Sequence, residues 1–227
     1  MPVITVTGLV GSGNRELAAG LADALGLEFV DRRIISEAAG RVGASVEAVE
    51  RQVEHGAQGP MARRLVGLFE RIAARGNPSS GFSRELFGEY RHVPDAEATG
   101  VRDSDLVQTL SEVMREAASG GDVVVVGRGA NMVLADWPGA MHLGLAAGSQ
   151  RRVERIQERD RVSAAEAMAY VTENDAGLTR FYRRFFNAEV LEPSRLHAVL
   201  NTELMDVSSA VEAAARVVEA AQGAQGR

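Results

Sequence analysis

Four consecutive valines, Val123-Val124-Val125-Val126, follow Asp122 with no polar residue among them. A strand with one wet face alternates apolar and polar residues. An unbroken run suits a strand covered on both faces, as in a parallel sheet flanked by helices. Four further segments fit beside it: Val3 to Thr7, which runs into Gly8; Glu28-Phe29-Val30, ending at Asp31; Met141 to Ala146; and His197 to Leu200. Helical spacing separates them. Leu17, Leu21 and Leu25 recur at i, i+4 and i+8 before Gly26, Gln150 to Asp160 forms a helix, and the capping box Ser163-Ala164-Ala165-Glu166 opens another. A last helix runs over Val207 to Ala221. The expected fold is α/β, a five-stranded parallel sheet with helices on both faces.

Residues 32–121, between the second and third strands, read as a helical insertion within one domain spanning 1–227. Ser45 caps a helix over Val46 to His55, Met61 to Arg75 carries Leu65, Leu68, Phe69 and Ile72 on one face, and Ser104 to Ala118 is amphipathic. Gly76 to Gly81 and Val93 to Gly100 read as connections.

Composition narrows the chemistry. The chain has 25 basic residues against 31 acidic ones, a net charge of −6, which argues against long nucleic acid as a partner. All of the basic residues are arginine, so a Schiff-base lysine, a lysine general base and a P-loop lysine are excluded. Without cysteine there is no disulfide and no thiolate catalysis. The four histidines stand without ligand spacing, against a zinc site. The N-terminus lacks a basic n-region, and no stretch nears the ~18 apolar residues of a membrane span. A cytoplasmic protein with no membrane partner is expected, and a homo-oligomer stays open.

Ligands of parallel sheets bind beyond the carboxyl ends of the strands. There the first strand runs into Gly8-Leu9-Val10-Gly11-Ser12-Gly13-Asn14-Arg15-Glu16, a glycine-rich turn that opens a helix. Such a turn can converge backbone N–H groups on an anion, with the helix N-terminus adding about half a positive charge. Three readings are open. As a P-loop, Gly8 and Gly13 have the right spacing, but Asn14 stands at the lysine position and Arg15 at the Ser/Thr position. Arg15 could then supply the missing charge, and Ser12 a hydroxyl. As a dinucleotide fingerprint, Gly11 and Gly13 fit and Asp31 sits where a ribose-binding acid belongs, but Glu16 replaces the third glycine. The third reading is a tight turn that binds nothing.

The loop Gly11-Ser12-Gly13-Asn14-Arg15-Glu16, then Phe29-Val30-Asp31-Arg32-Arg33-Ile34-Ile35, Val125-Val126-Gly127-Arg128-Gly129-Ala130-Asn131, Arg152-Val153-Glu154-Arg155-Ile156 and Asp175 to Phe186 together resemble the cytidylate kinase-like family of P-loop proteins. The likeness is weakest from Gly56 to Val101. It implies a nucleoside monophosphate kinase fold with an arginine-bearing lid, here at about residues 150–187. The implied activity is transfer of the terminal phosphoryl group of ATP to CMP or dCMP with Mg2+. Family loops often read Gly-Ser-Gly-Gly-Arg-Glu, so Arg15 and Glu16 match and Asn14 replaces a glycine. The sequence departs from the family at Leu178, where relatives tend to carry arginine. Many P-loop enzymes also place a metal-binding acid at the end of strand three, where this chain has Gly127-Arg128-Gly129.

The resemblance assigns roles. Gly8, Gly11, Ser12, Gly13, Asn14, Arg15 and Glu16 are expected to hold ATP. Asp31, Arg32, Arg33, Arg128 and Asn131 are expected at the acceptor nucleotide, and Arg152, Arg155, Arg180 and Arg183 on the lid. Arg15, Arg128 and Arg152 are the expected catalytic cations, since phosphoryl transfer rests on positioning and charge stabilisation and arginine grips phosphate oxygens bidentately. Glu16 and Asp31 are the candidates for magnesium. Two plainer readings stand beside these: Arg151, Arg155 and Arg159 at i, i+4 and i+8 as a solvated face, and the aromatics of 181–186 as core. The rivals to a kinase are a non-catalytic nucleotide- or phosphate-binding protein on the same scaffold, and an NAD(P)-binding Rossmann protein.

Overall fold

The computed structural model describes residues 2–31, 40–41 and 103–225. The helices expected over 46–55 and 61–75, the connections at 76–81 and 93–100, and Arg32 and Arg33 lie outside the described residues.

Five strands form one parallel sheet: β1 (Val3–Gly8), β2 (Glu28–Val30), β3 (Val123–Val126), β4 (Ala140–Ala146) and β5 (Ala198–Asn201). The order across the sheet is β2-β3-β1-β4-β5. β3 therefore separates β2 from β1. A dinucleotide-binding Rossmann sheet keeps its second strand beside its first, so the order removes that rival. It also puts β1 between β3 and β4, strands reached in opposite directions, and parallel sheets take their ligands beyond the carboxyl ends of strands at such a switch point.

The valine run is covered on both faces, as expected. Val123 and Val125 face a cluster with Val3, Val30 and Leu110, Val113, Met114 and Ala118 of α2 (Asp103–Ser119). Val124 and Val126 face the other way, onto Leu17 and Leu21 of α1 (Asn14–Leu25) and Ala210, Ala214 and Val218 of α6 (Val207–Gln225). Full burial of each such side chain stabilises the fold by about 1.5–3 kcal/mol. The part of the insertion expected as a helix over 104–118 is thus a wall of the sheet's own core.

Local signals set the helix ends. Gly13 (φ 91°) opens α1, and Gly26 (φ 67°) closes it by donating its N–H to carbonyls of the last turn. At the start of α5 (Ala164–Phe186) the capping box is formed: Ser163 Oγ accepts from the Glu166 N–H and Glu166 accepts from the Ser163 N–H. α4 (Ser149–Asp160) precedes it, and the two pack through Val153, Ile156, Ala167 and Val171. The short helix α3 (Ala130–Val133) has no counterpart in the sequence reading, because four residues are too few to show a period.

Polar residues face the core near β4. Thr5 Oγ1 lies 2.8 Å from His142 Nδ1, and the His142 N–H donates to His197 Nδ1 at 3.0 Å. Burial, helped by the neighbouring His197, lowers the His142 pKa to about 4. The folded protein thus keeps this ring neutral where the unfolded chain, titrating near 6.5, takes up a proton. Stability should fall as pH drops from 6.5 through about 4, by roughly 3 kcal/mol in all at about 1.4 kcal/mol per unit, and be unaffected by this group above 6.5. Urea unfolding at stepped pH tests this: the slope between pH 6.5 and 4 should flatten in His142→Gln.

Candidate functional site

The loop after β1 is held from every side. Asn14, at the lysine position, turns inward: its Nδ2 donates to Gly8 O at 2.9 Å. Ser12 is fully buried and its hydroxyl donates to Leu9 O at 2.6 Å. Two arginines arrive from α4. Arg152 donates through Nη1 to Val10 O at 3.0 Å, and Arg155 through Nη1 to Gly11 O at 3.3 Å. From beyond β5, the Thr202 hydroxyl donates to Ser12 O at 2.8 Å. The Gly13 carbonyl takes the first helical hydrogen bond, from the Leu17 N–H. Each carbonyl from Gly8 to Gly13 is therefore engaged by a protein donor. The first turn of α1 follows the loop directly, and the N–H groups of a first helical turn have no carbonyl of their own helix to receive them, which is why such positions suit anions in general. Gly11 (φ 80°) is required by close approach, since a Cβ there would sit 2.8 Å from Arg152 O.

Beside the loop, Asp31 is pinned between two guanidinium groups. Its Oδ2 lies 3.2 Å from Arg15 Nε and its Oδ1 3.1 Å from Arg128 Nη1, with only about a tenth of its side chain exposed. Arg128 has φ 53° between Gly127 (φ 65°) and Gly129 (φ 76°), and its Nε is buried without a hydrogen-bond partner among the described residues. A left-handed arginine costs about 1–2 kcal/mol, and such strain clusters at functional sites.

That turn is locked from α5. Gly129 sits under the Phe186 ring, where a Cβ would meet Cζ at 2.8 Å, and Phe181 crowds the same face. The Tyr182 hydroxyl accepts from Thr7 Oγ1 at 2.9 Å and donates to Asn131 Oδ1 at 2.7 Å. Burial pushes this phenol up to about 12, against the lowering effect of hydrogen bonds from Thr7 and the Gly129 backbone, so it stays a donor. α5 thereby joins the carboxyl end of β1 to the β3 turn.

The expected site residues fall into groups. Arg15, Asp31 and Arg128 are brought together beside the loop. Arg152 is buried, with Nη1 and Nη2 on the two carboxylate oxygens of Asp175 at 2.9 and 2.8 Å. Arg155, which the sequence reads either as a lid cation or as part of a solvated stripe, reaches Thr202 Oγ1 at 3.0 Å and Thr202 O at 2.6 Å. Asn131 is buried, its Oδ1 taken by Tyr182. Arg183 is exposed and paired with Glu189 at 2.9 Å, and Arg180 is exposed on α5. Nothing in the sequence marks Thr202, Asp175, Thr7 or Tyr182 for this site, because each acts through a partner distant in sequence.

A resident magnesium finds a poor donor set. The Ser12 hydroxyl is committed to Leu9 O, both Asp31 oxygens face guanidinium groups, and Glu16 is an exposed residue of the first turn of α1. No group of three or more His, Cys, Asp or Glu suited to a metal occurs among the described residues. The residues do not fit a protein-built magnesium site.

A model of the cytidylate kinase-like family matches residues 3–204. The chain belongs to that family. Two solved structures share its fold. An uncharacterized protein from Eubacterium ventriosum is 13% identical with a TM-score of 0.61, the match covering 96% of this chain and 98% of that one. A gluconokinase from Sinorhizobium meliloti is 15% identical with a TM-score of 0.50, covering 99% and 95%. No curated protein matches the chain. As in the family, the sheet and loop of this cytidylate kinase-like chain are those of a P-loop kinase fold, and membership implies a small-molecule nucleotide as ligand. Among the described residues no helix is long and apolar enough to cross a membrane.

Proposed function

We propose that the chain is a phosphotransferase that holds the phosphates of ATP in the Gly8–Glu16 loop and moves the terminal phosphoryl group to a nucleoside monophosphate, CMP or dCMP. The observation that carries this reading is the convergence of Arg15 and Arg128 on Asp31 beside the anion loop. Phosphoryl transfer needs cations already oriented on the phosphates more than it needs covalent chemistry. Arg15 stands on the loop side, where it serves the donor, and Arg128 at the mouth of β3, where it serves the acceptor phosphate. Asp31 holds both forks in place before nucleotide arrives. Magnesium enters only as companion of the triphosphate.

One observation favours a second reading, a nucleotide-binding protein without turnover: Asn14, at the lysine position, is uncharged and its amide is spent on Gly8 O. Titration calorimetry with ATP and a coupled ADP-release assay over CMP, dCMP, UMP and AMP separate the two. The kinase reading expects ADP formation with at least one acceptor, greatest with CMP or dCMP. Binding without turnover leaves the second reading, and absence of ATP binding removes both.

A further inference from the structure

Thr202 stands just past β5, remote in sequence from the loop, yet it is almost fully buried against it. Its hydroxyl donates to Ser12 O at 2.8 Å and receives Arg155 Nη1 at 3.0 Å. The same Nη1 donates to Gly11 O at 3.3 Å, and Arg155 Nη2 donates to Thr202 O at 2.6 Å. The Thr202 N–H in turn donates to Ala146 O at the end of β4, which fixes the residue to the sheet. Two consecutive loop carbonyls are thus drawn to one threonine–arginine pair. Because a peptide plane carries its C=O and N–H on opposite sides, holding the Gly11 and Ser12 carbonyls on this pair fixes the Ser12 N–H, which donates to Leu9 O at 3.2 Å, and sets where the Gly13 N–H points.

We propose that Thr202 and Arg155 are positioning residues for the anion loop, setting the orientation of its peptide groups and hence its affinity for a polyphosphate. This rests on the reading of the loop as a triphosphate site and adds a determinant outside it. Arg155 acts here through backbone carbonyls and not by touching the nucleotide; burial, and after it the charge of Arg151, lowers its pKa, with Glu16, Glu203 and Glu158 opposing.

The test compares wild type with Thr202→Val, Thr202→Ser and Arg155→Gln. Thr202→Val keeps the branched shape and deletes the hydroxyl. Titration calorimetry with ATP and with inorganic tripolyphosphate is run beside thermal unfolding. Thr202→Val should weaken both probes about tenfold, the size expected for loss of one buried hydrogen bond, and Thr202→Ser should recover most of it. Arg155→Gln should weaken both probes similarly. Wild-type affinity in a folded Thr202→Val overturns the proposal, as does a fall in Tm with affinity unchanged. Should Thr202→Val fail to fold, wild-type affinity in Arg155→Gln overturns it. A wild type that binds neither probe removes the triphosphate reading and this inference with it. Binding by wild type with equal binding by every variant removes this inference alone.

Discussion

Replacing Arg152 with alanine should lower the unfolding free energy by about 3 kcal/mol, at the lower end of the cost of breaking a buried ion pair. The guanidinium is about 6% exposed and uses its whole fork: Nε donates to Ala147 O at 3.2 Å, Nη1 to Val10 O and Asp175, and Nη2 to Asp175. Truncation leaves the Asp175 carboxylate without its cation and two carbonyls without their donor, and uncompensated buried groups cost more than the pair ever contributed. For a chain of this length the loss corresponds to a Tm lower by roughly 6–12 °C. Arg152→Lys should recover only part, because one ammonium cannot reproduce a bidentate carboxylate contact and two carbonyl bonds. In Arg152→Ala/Asp175→Ala the destabilisation should be less than the sum of the single variants, the sign of direct coupling. A Tm for Arg152→Ala within a degree of wild type would falsify the clamp and leave Arg152 with the lid role that the family resemblance implies.

Arg128→Gly should separate activity from stability. Arginine at φ 53° is strained, and glycine adopts that conformation without penalty. Relief of about 1 kcal/mol offsets the lost contact with Asp31, which keeps Arg15 as a partner, so the Tm should stay within a few degrees of wild type. Turnover should behave otherwise. Removing a cation that stabilises charge in phosphoryl transfer costs about 10³-fold or more. If Arg128 serves the acceptor, ATP affinity in the same variant should be unchanged while acceptor KM rises. Unaltered turnover in Arg128→Gly would remove Arg128 from the chemistry, and loss of ATP affinity would move it to the donor side.

Parts of this site were legible in the residue string for identifiable reasons. The glycine-rich turn was readable because its function depends on backbone, and glycine marks where backbone must bend or approach closely: Gly11 under Arg152 and Gly13 at the head of α1. Asp31 and Arg128 were readable as residues just past strand ends, and Arg15 as part of the turn into α1, since in a parallel sheet all strand ends meet on one edge. Thr202 was not, because a threonine after a half-exposed edge strand carries no pattern. The Arg151, Arg155 and Arg159 spacing misled for a related reason: the i, i+4 rule says which residues share a helix face but not what lies opposite it. Opposite Arg155 lay the loop carbonyl of Gly11 and Thr202, while Arg151 kept the exposed i, i+3 pairing with Glu154.

The sequence by itself determined the sheet, the helices on its two faces and the edge on which the carboxyl ends of the strands meet. These follow from periodicity, capping and glycine placement, which are local in the chain and need no knowledge of distant partners. Tertiary structure alone decided the strand order that places β3 between β2 and β1, and what each arginine does. A guanidinium reaches several ångströms and binds backbone carbonyls as readily as carboxylates or phosphates. Every residue carries a carbonyl, so no pattern of side chains announces that Arg152 and Arg155 hold the loop while Arg15 and Arg128 converge on Asp31.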